Sequence, residues 1–339
     1  MERLKEILSI QSESYDQWRM FAYIVRRVKA IPNTTLYTHN GNIYVTKGDA
    51  ITYPCMVSHM DTVHSIAEDL YPVEAWGRIT GLNRVTMQQT GIGGDDKVGV
   101  YITLEMLERF DVMKAAFFRD EEVGCNGSYV ADMSFFDDCR FVLQCDRKGN
   151  DDFVTVASGV DLSSCAFQEA VHPILNQHMY KFANGMMTDV MALKQNGIRC
   201  SVANMSCGYY RPHMDDEYVD IYDVENCLQM CITIISSCTD TYHHVYKPRY
   251  TAKTQAPISP TSKYPKAVKT LWDDDFVDVK PYEEEKAVYS SWDNWDWDND
   301  VPRHPEQKIC QDCWAEPITD DKTGLCKSCY SWYKKANYV

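Results

Sequence analysis

The chain has 339 residues, enough for one large core and a small appendage, and its hydrophobic share of 45% and charged share of 24% suit an ordinary soluble globular protein. A net charge of −15 argues against general attraction to nucleic-acid phosphates and leaves only a local basic patch as a route to them. No apolar run approaches the roughly 18 residues of a membrane span, and the N-terminus mixes charges from its second residue, unlike a secretory signal, so a cytoplasmic location is expected.

Leu4, Ile7 and Leu8, then Trp18, Phe21, Ile24 and Val25, recur at three- and four-residue steps, which predicts two opening helices, each with one buried face. Short strands are expected over 43–46 and 53–58, and the second runs into His59-Met60-Asp61. Alternate residues of an extended segment project to the same side, so His59 and Asp61 can act together. A metal-binding imidazole usually gives its other N–H to a carboxylate, a task that suits Asp61. An HxD triplet by itself carries little specificity.

Next, Gly91-Ile92-Gly93-Gly94-Asp95-Asp96-Lys97 leads into a helical run over 97–110. Its glycines permit a sharp loop, and its carboxylates stand at a helix N-terminus, as a capped helix start would also place them. The glycine spacing is wrong for a P-loop, and no Ser or Thr follows Lys97. A strand over 115–118 ends in Arg119-Asp120-Glu121-Glu122-Val123-Gly124, where adjacent charges after an apolar run face either a cleft, a metal or solvent. The strand over 141–144 repeats the arrangement with Gln144-Cys145-Asp146. Further on, Asp189 could contact a substrate amine or cap a helix. Tyr209-Tyr210-Arg211-Pro212-His213 precedes a closing helix over 224–236, with Arg211 open to a substrate carboxylate or to a surface pair with Asp215 or Asp216.

Alternating helices and strands from Met1 to about Val245 predict an α/β layered fold, in which ligand sites gather at the carboxyl ends of strands. The acidic motifs occupy that position. Of the 14 cysteines, ten are scattered among apolar neighbours, as at Cys55, Cys139, Cys227 and Cys231, where free cysteine behaves as a small hydrophobe. Over residues 247–305 the composition shifts to Pro, Lys, Thr and acidic residues, with Trp292, Trp295 and Trp297 among aspartates; this is either a solvated linker or an acidic docking segment. Cys310-x-x-Cys313 and Cys326-x-x-Cys329, twelve residues apart, match a four-cysteine zinc ribbon over 306–339. A structural zinc would supply much of the folding free energy of so small a unit, on the order of 10 kcal/mol. Lysines and aromatics around it offer a surface for a protein partner, or for nucleic acid, which the overall acidity disfavours.

One imidazole, three carboxylates and a second imidazole, each at a strand or loop end, supply ligands suited to a pair of divalent ions. The order HxD, Gly-rich Asp-Asp-Lys, Glu-Glu-x-Gly, Asp, then His before a closing helix resembles the two-zinc exopeptidase clan. That clan includes peptidase T, zinc aminopeptidases and related carboxypeptidases and deacylases; the resemblance covers roughly residues 1–240. It implies a three-layer αβα domain, here residues 1–246, around a central mixed, mostly parallel sheet. It also implies that His59 and Asp146 hold one zinc, Glu122 and His213 the other, and that Asp95 bridges them. Asp61 would orient His59 and Glu121 would be the general base.

One feature departs from many relatives. Only some forty residues separate Asp146 from Met187-Thr188-Asp189, too few for an inserted lid or dimerisation domain of about a hundred residues. Single-domain aminopeptidases of the clan are the closer comparison. In those, a tyrosine near the last histidine helps bind the oxyanion, which points to Tyr209 or Tyr210. The expected activity is removal of N-terminal residues from short peptides, with two catalytic zincs and one structural zinc. The alternatives are a deacylase or carboxypeptidase, and a non-catalytic scaffold that presents the ribbon.

Overall fold

Short apolar segments between turn residues become the strands of a nine-stranded mixed sheet in the computed structural model, which describes residues 1–67 and 69–247. The linker, and the ribbon with Cys310, Cys313, Cys326 and Cys329, lie outside the described residues. Four strands form the middle of the sheet in the order Met113–Phe118, Tyr53–His59, Cys139–Arg147 and Ser201–Ser206, and these run parallel. Thr34–His39 and Asn42–Lys47 extend one side antiparallel. On the other side Asp152–Ala157 pairs antiparallel with Ser201–Ser206, and carries Val160–Asp161 and the parallel strand Lys181–Gly185.

Parallel strands covered on both faces read as continuous apolar runs, which is why three of the central four were visible in the sequence; Ser201–Ser206, with its serines and asparagine, was not. Their side chains divide by alternation. Met56, Ala115, Phe117, Phe141 and Leu143 pack into one core with the helices Glu2–Ser9, Trp18–Lys29, Gly94–Arg109, Cys165–Gln177 and Ile221–Ser237. Cys55, Val57, Ala116, Phe118 and Val142 pack into a second core with the helix Asp189–Gln195 and the 3-10 turn Met133–Phe136. Helix, sheet and helix therefore make three layers. Each fully buried Phe, Leu or Ile contributes about 1.5–3 kcal/mol of burial free energy.

A second, five-stranded sheet had no counterpart in the sequence reading. It joins Leu70–Ala75, Arg78–Asn83 and Gln88–Thr90 to Tyr209–Tyr210 and Tyr218–Asp220. Tyr218 pairs with Thr80 and Val219 with Ile79, so the hairpin carrying His213 is fastened beside the strand that enters the glycine-rich loop. Between Asp146 and Asp189 the chain forms only elements of the main layers, with no inserted domain. Among the described residues no helix is long and apolar enough to cross a membrane.

Candidate metal centre

Three adjacent parallel strands deliver three of the groups. His59 is the last residue of Tyr53–His59 and lies opposite Phe118, so the turn after Phe118 sets Glu121 and Glu122 beside it. Asp146 stands near the end of the next strand, Cys139–Arg147. Asp95 comes from the glycine-rich loop, and His213 from the hairpin of the small sheet.

These five side chains form two clusters that share one member. His59 Nε2 is 3.3 Å from Asp95 Oδ1 and 3.5 Å from Asp146 Oδ1. His213 Nε2 is 3.4 Å from Asp95 Oδ2 and 3.1 Å from Glu122 Oε2. Each oxygen of Asp95 therefore faces a different imidazole. Within each cluster the candidate ligand atoms lie within 4.8 Å of one another.

The donor set fits a pair of cations. His59 Nε2 and Glu122 Oε1 are buried without a hydrogen-bond partner, an arrangement that costs free energy unless another group takes them. Burial, and then the charge of Asp95, push Asp146 up to about 8. Burial also raises Glu121 and Glu122. Asp95 shifts the other way, because the imidazoles of His213 and His59 beside it outweigh its burial. Asp95 and Glu122 raise His213 to about 10, and the carboxylates of Asp146, Asp61 and Asp95 around it raise His59 despite its burial. Carboxylate oxygens with imidazole nitrogens suit zinc and other small divalent ions, whose charge would relieve this crowding.

Supporting contacts fix the geometry. His59 Nδ1 lies 2.9 Å from the Asp61 carbonyl and 3.4 Å from its carboxylate, which leaves Nε2 for the cluster. The Asp61 carboxylate also accepts from Ser14 Oγ at 2.7 Å, Glu121 N at 2.9 Å and Glu122 N at 3.3 Å, so one buried group orders both the imidazole and the glutamate turn. Gln144 and Thr188 donate to Asp146 at 3.0 and 3.1 Å, and Asn204 holds its backbone on both sides. Asp96 accepts from His59 N and from Gly99 N; a Cβ at Gly99 would come within 2.1 Å of its carboxylate, so glycine is required there.

Sequence reasoning overlooked Glu217. Its buried carboxylate accepts from Gly93 N at 2.7 Å, His64 Nε2 at 2.9 Å and Asp95 N at 3.2 Å, tying the hairpin of His213 to the loop of Asp95. Lys97 braces the same loop by donating to the carbonyls of Ile92 and Leu8.

The remaining expectations separate. Glu121 is mostly buried, 3.9 Å from His59 Nε2, and accepts from Cys125 Sγ at 3.3 Å. Tyr209 is buried and donates to Asp146 Oδ1 at 3.4 Å. Tyr210 points elsewhere: its hydroxyl donates to Asp223 at 2.5 Å, outside the two clusters. Arg211 pairs with Asp216 at 2.6 Å, both partly exposed. Asp189 begins a helix whose N-cap is Thr188; it is buried, accepts from Gln144 at 3.2 Å, and burial raises it to about 6.

No protein-family model matches the sequence, and no curated protein matches it significantly. Solved structures do match in fold. The aminopeptidase PepT from Bacillus cereus aligns with a TM-score of 0.57 at 12% identity, over 70% of this chain and 98% of that one. An aminopeptidase from the archaeon Desulfurococcus kamchatkensis gives 0.54 at 15% identity, over 69% and 93%. A tripeptidase from Staphylococcus aureus gives 0.54 at 14% identity, over 69% and 96%. The chain thus has the α/β fold of these peptidases.

Proposed function

We propose that the chain is a zinc-dependent exopeptidase, an aminopeptidase that removes N-terminal residues from short peptides. The observation that carries this is Asp95, whose two oxygens each face an imidazole, with Asp146 and Glu122 completing two clusters. His59 and Asp146 would hold one ion, Glu122 and His213 the other, and Asp95 both. When bound, such a pair polarises the scissile carbonyl and lowers the pKa of water.

The protein's own groups supply the rest. Glu121 takes a proton from the attacking water and returns one to the leaving amine; burial raises its proton affinity, which suits an acid–base group. Tyr209, whose hydroxyl lies at the cluster on a long 3.4 Å bond to Asp146, would turn that hydroxyl toward the developing oxyanion, whereas the hydroxyl of Tyr210 is held at 2.5 Å by Asp223, outside the clusters. Asp61 keeps the His59 ring and the backbone of Glu121 in register. The aminopeptidase choice is supported by the fold of the peptidases above and by the lack of an inserted domain after Asp146. In this reading residues 306–339 carry a structural zinc on Cys310, Cys313, Cys326 and Cys329, and the acidic linker separates it from the catalytic domain.

Glu121→Gln tests the assignment. The variant should keep its zinc while cleavage of free-amine di- and tripeptides falls about 10²–10⁴-fold. N-acetylated peptides should resist the wild-type protein. Undiminished turnover by the variant would remove Glu121 from the mechanism, and preference for blocked substrates would favour a deacylase or carboxypeptidase.

A further inference from the structure

Nine of the ten described cysteines are buried, and three of them meet. Cys145 lies on the strand Cys139–Arg147; Cys227 and Cys231 sit four residues apart on one face of the helix Ile221–Ser237. Cys145 Sγ is 3.6 Å from Cys231 Sγ and 3.8 Å from Cys227 Sγ, and Met205 Sδ is 3.7 Å from Cys231 Sγ. All four side chains are fully buried in the core between sheet and helix.

We propose that Cys145, Cys227 and Cys231 form a second, sulfur-only metal site, separate from the carboxylate–imidazole pair, for one thiophilic closed-shell cation, Zn(II) or Cu(I). A tetrahedron with zinc–sulfur bonds of about 2.3 Å has sulfur–sulfur edges of about 3.8 Å; the two distances from Cys145 already match this spacing, and all three sulfurs lie within 4.8 Å of one another. Their softness selects the cation class: thiolates with a nearby thioether favour Cu(I) and zinc over magnesium or calcium, which need oxygen donors. The site has no solvent-facing ligand, so the ion enters as the chain folds. Once bound, it joins the closing helix to the strand end next to Asp146. Thiols packed only as small hydrophobes would also sit in contact, so the test must detect sulfur–metal bonds.

The probe is the full-length chain with Cys310, Cys313, Cys326 and Cys329 changed to serine, which removes the other thiolate cluster. Refolded with Co(II) as a zinc substitute, it should show a near-ultraviolet thiolate-to-cobalt absorption that oxygen and nitrogen ligands do not give. Supplied with Cu(I), it should retain one ion per chain against a competing chelator. A stronger response in one arm identifies the preferred cation. Cys227→Ser and Cys231→Ala, checked for folding by circular dichroism, should each abolish the signal. A folded background protein with neither cobalt–thiolate absorption nor retained copper would overturn the proposal. So would a disulfide within the trio, seen by mass spectrometry of unreduced protein.

Discussion

Glu217→Ala isolates a residue that touches neither proposed ion yet holds the loop of the shared ligand. The buried carboxylate accepts from Gly93 N at 2.7 Å, His64 Nε2 at 2.9 Å and Asp95 N at 3.2 Å. Hydrogen bonds to an ionised acceptor are worth about 1.5–3 kcal/mol each. The Asp95 bond is long, and a water entering the vacated space would recover one donor, so a loss of about 3–5 kcal/mol in unfolding free energy is expected. Because the Asp95 carboxylate faces both imidazoles, metal affinity should also fall about 10–100-fold. Urea unfolding followed by tryptophan fluorescence reads the first quantity, and competition with a chromogenic chelator reads the second. Glu217→Gln should recover part of both, since its amide oxygen still accepts from Gly93. An alanine variant with the wild-type midpoint and metal retention would refute the bracing role and leave the loop held by other contacts.

Metal uptake should expel protons. His213 is raised to about 10 and His59 is also raised in the metal-free protein, so loading at pH 7 should release at least about two protons, measurable by calorimetry in buffers of different ionisation enthalpy; no release would contradict the ligand assignment. Stability should fall between about pH 9 and 10. Burial keeps the thiols of Cys125, Cys139, Cys200 and Cys207 protonated in the fold, whereas unfolded thiols ionise near 8.5, so the unfolded state gains as pH rises. Lys97 and Lys194, lowered by burial to about 8, act in the opposite sense at about 1.4 kcal/mol per pH unit each, but they are outnumbered. Stability that climbs through this interval in urea titrations would reverse the balance. Finally, Tyr209→Phe should lower kcat about 10²-fold with its metal retained, while Tyr210→Phe stays near wild type; equal losses would place both hydroxyls at the reaction.

The sequence revealed three of the four central strands and the groups at their ends because burial on both faces leaves unbroken apolar runs that stop abruptly at charges; the fourth, Ser201–Ser206, is buried but carries Ser and Asn and gave no such run. Phe117-Phe118 before Glu121-Glu122 is the clearest case. The small sheet was hidden because its strands are short and half-exposed, and Tyr209–Tyr210 has only two residues. Glu217 was hidden in the charge run Asp215-Asp216-Glu217, of which the first two are exposed and the third is buried. A signal did exist: Glu217 is two residues before the buried Val219, so alternation along the strand puts both on the inner side. The cysteine trio was likewise legible only in part, since helical spacing pairs Cys227 with Cys231 but nothing local connects either to Cys145.

The two clusters also differ in their exposure to solvent. His59 is closed off, whereas the His213 side chain is 50% exposed, so the approach to the pair lies across His213 and its hairpin. That hairpin is anchored at three levels: strand pairing to Arg78–Asn83, the buried bond from Gly93 to Glu217, and the Arg211–Asp216 pair at its tip. Only the last is partly solvated, and an ion pair there contributes about 0–1 kcal/mol. Under the proposed peptidase function the tip can therefore yield to a peptide while the base of the hairpin keeps His213 in register with Asp95, which requires the stiffness to come from Glu217 rather than from the surface charges.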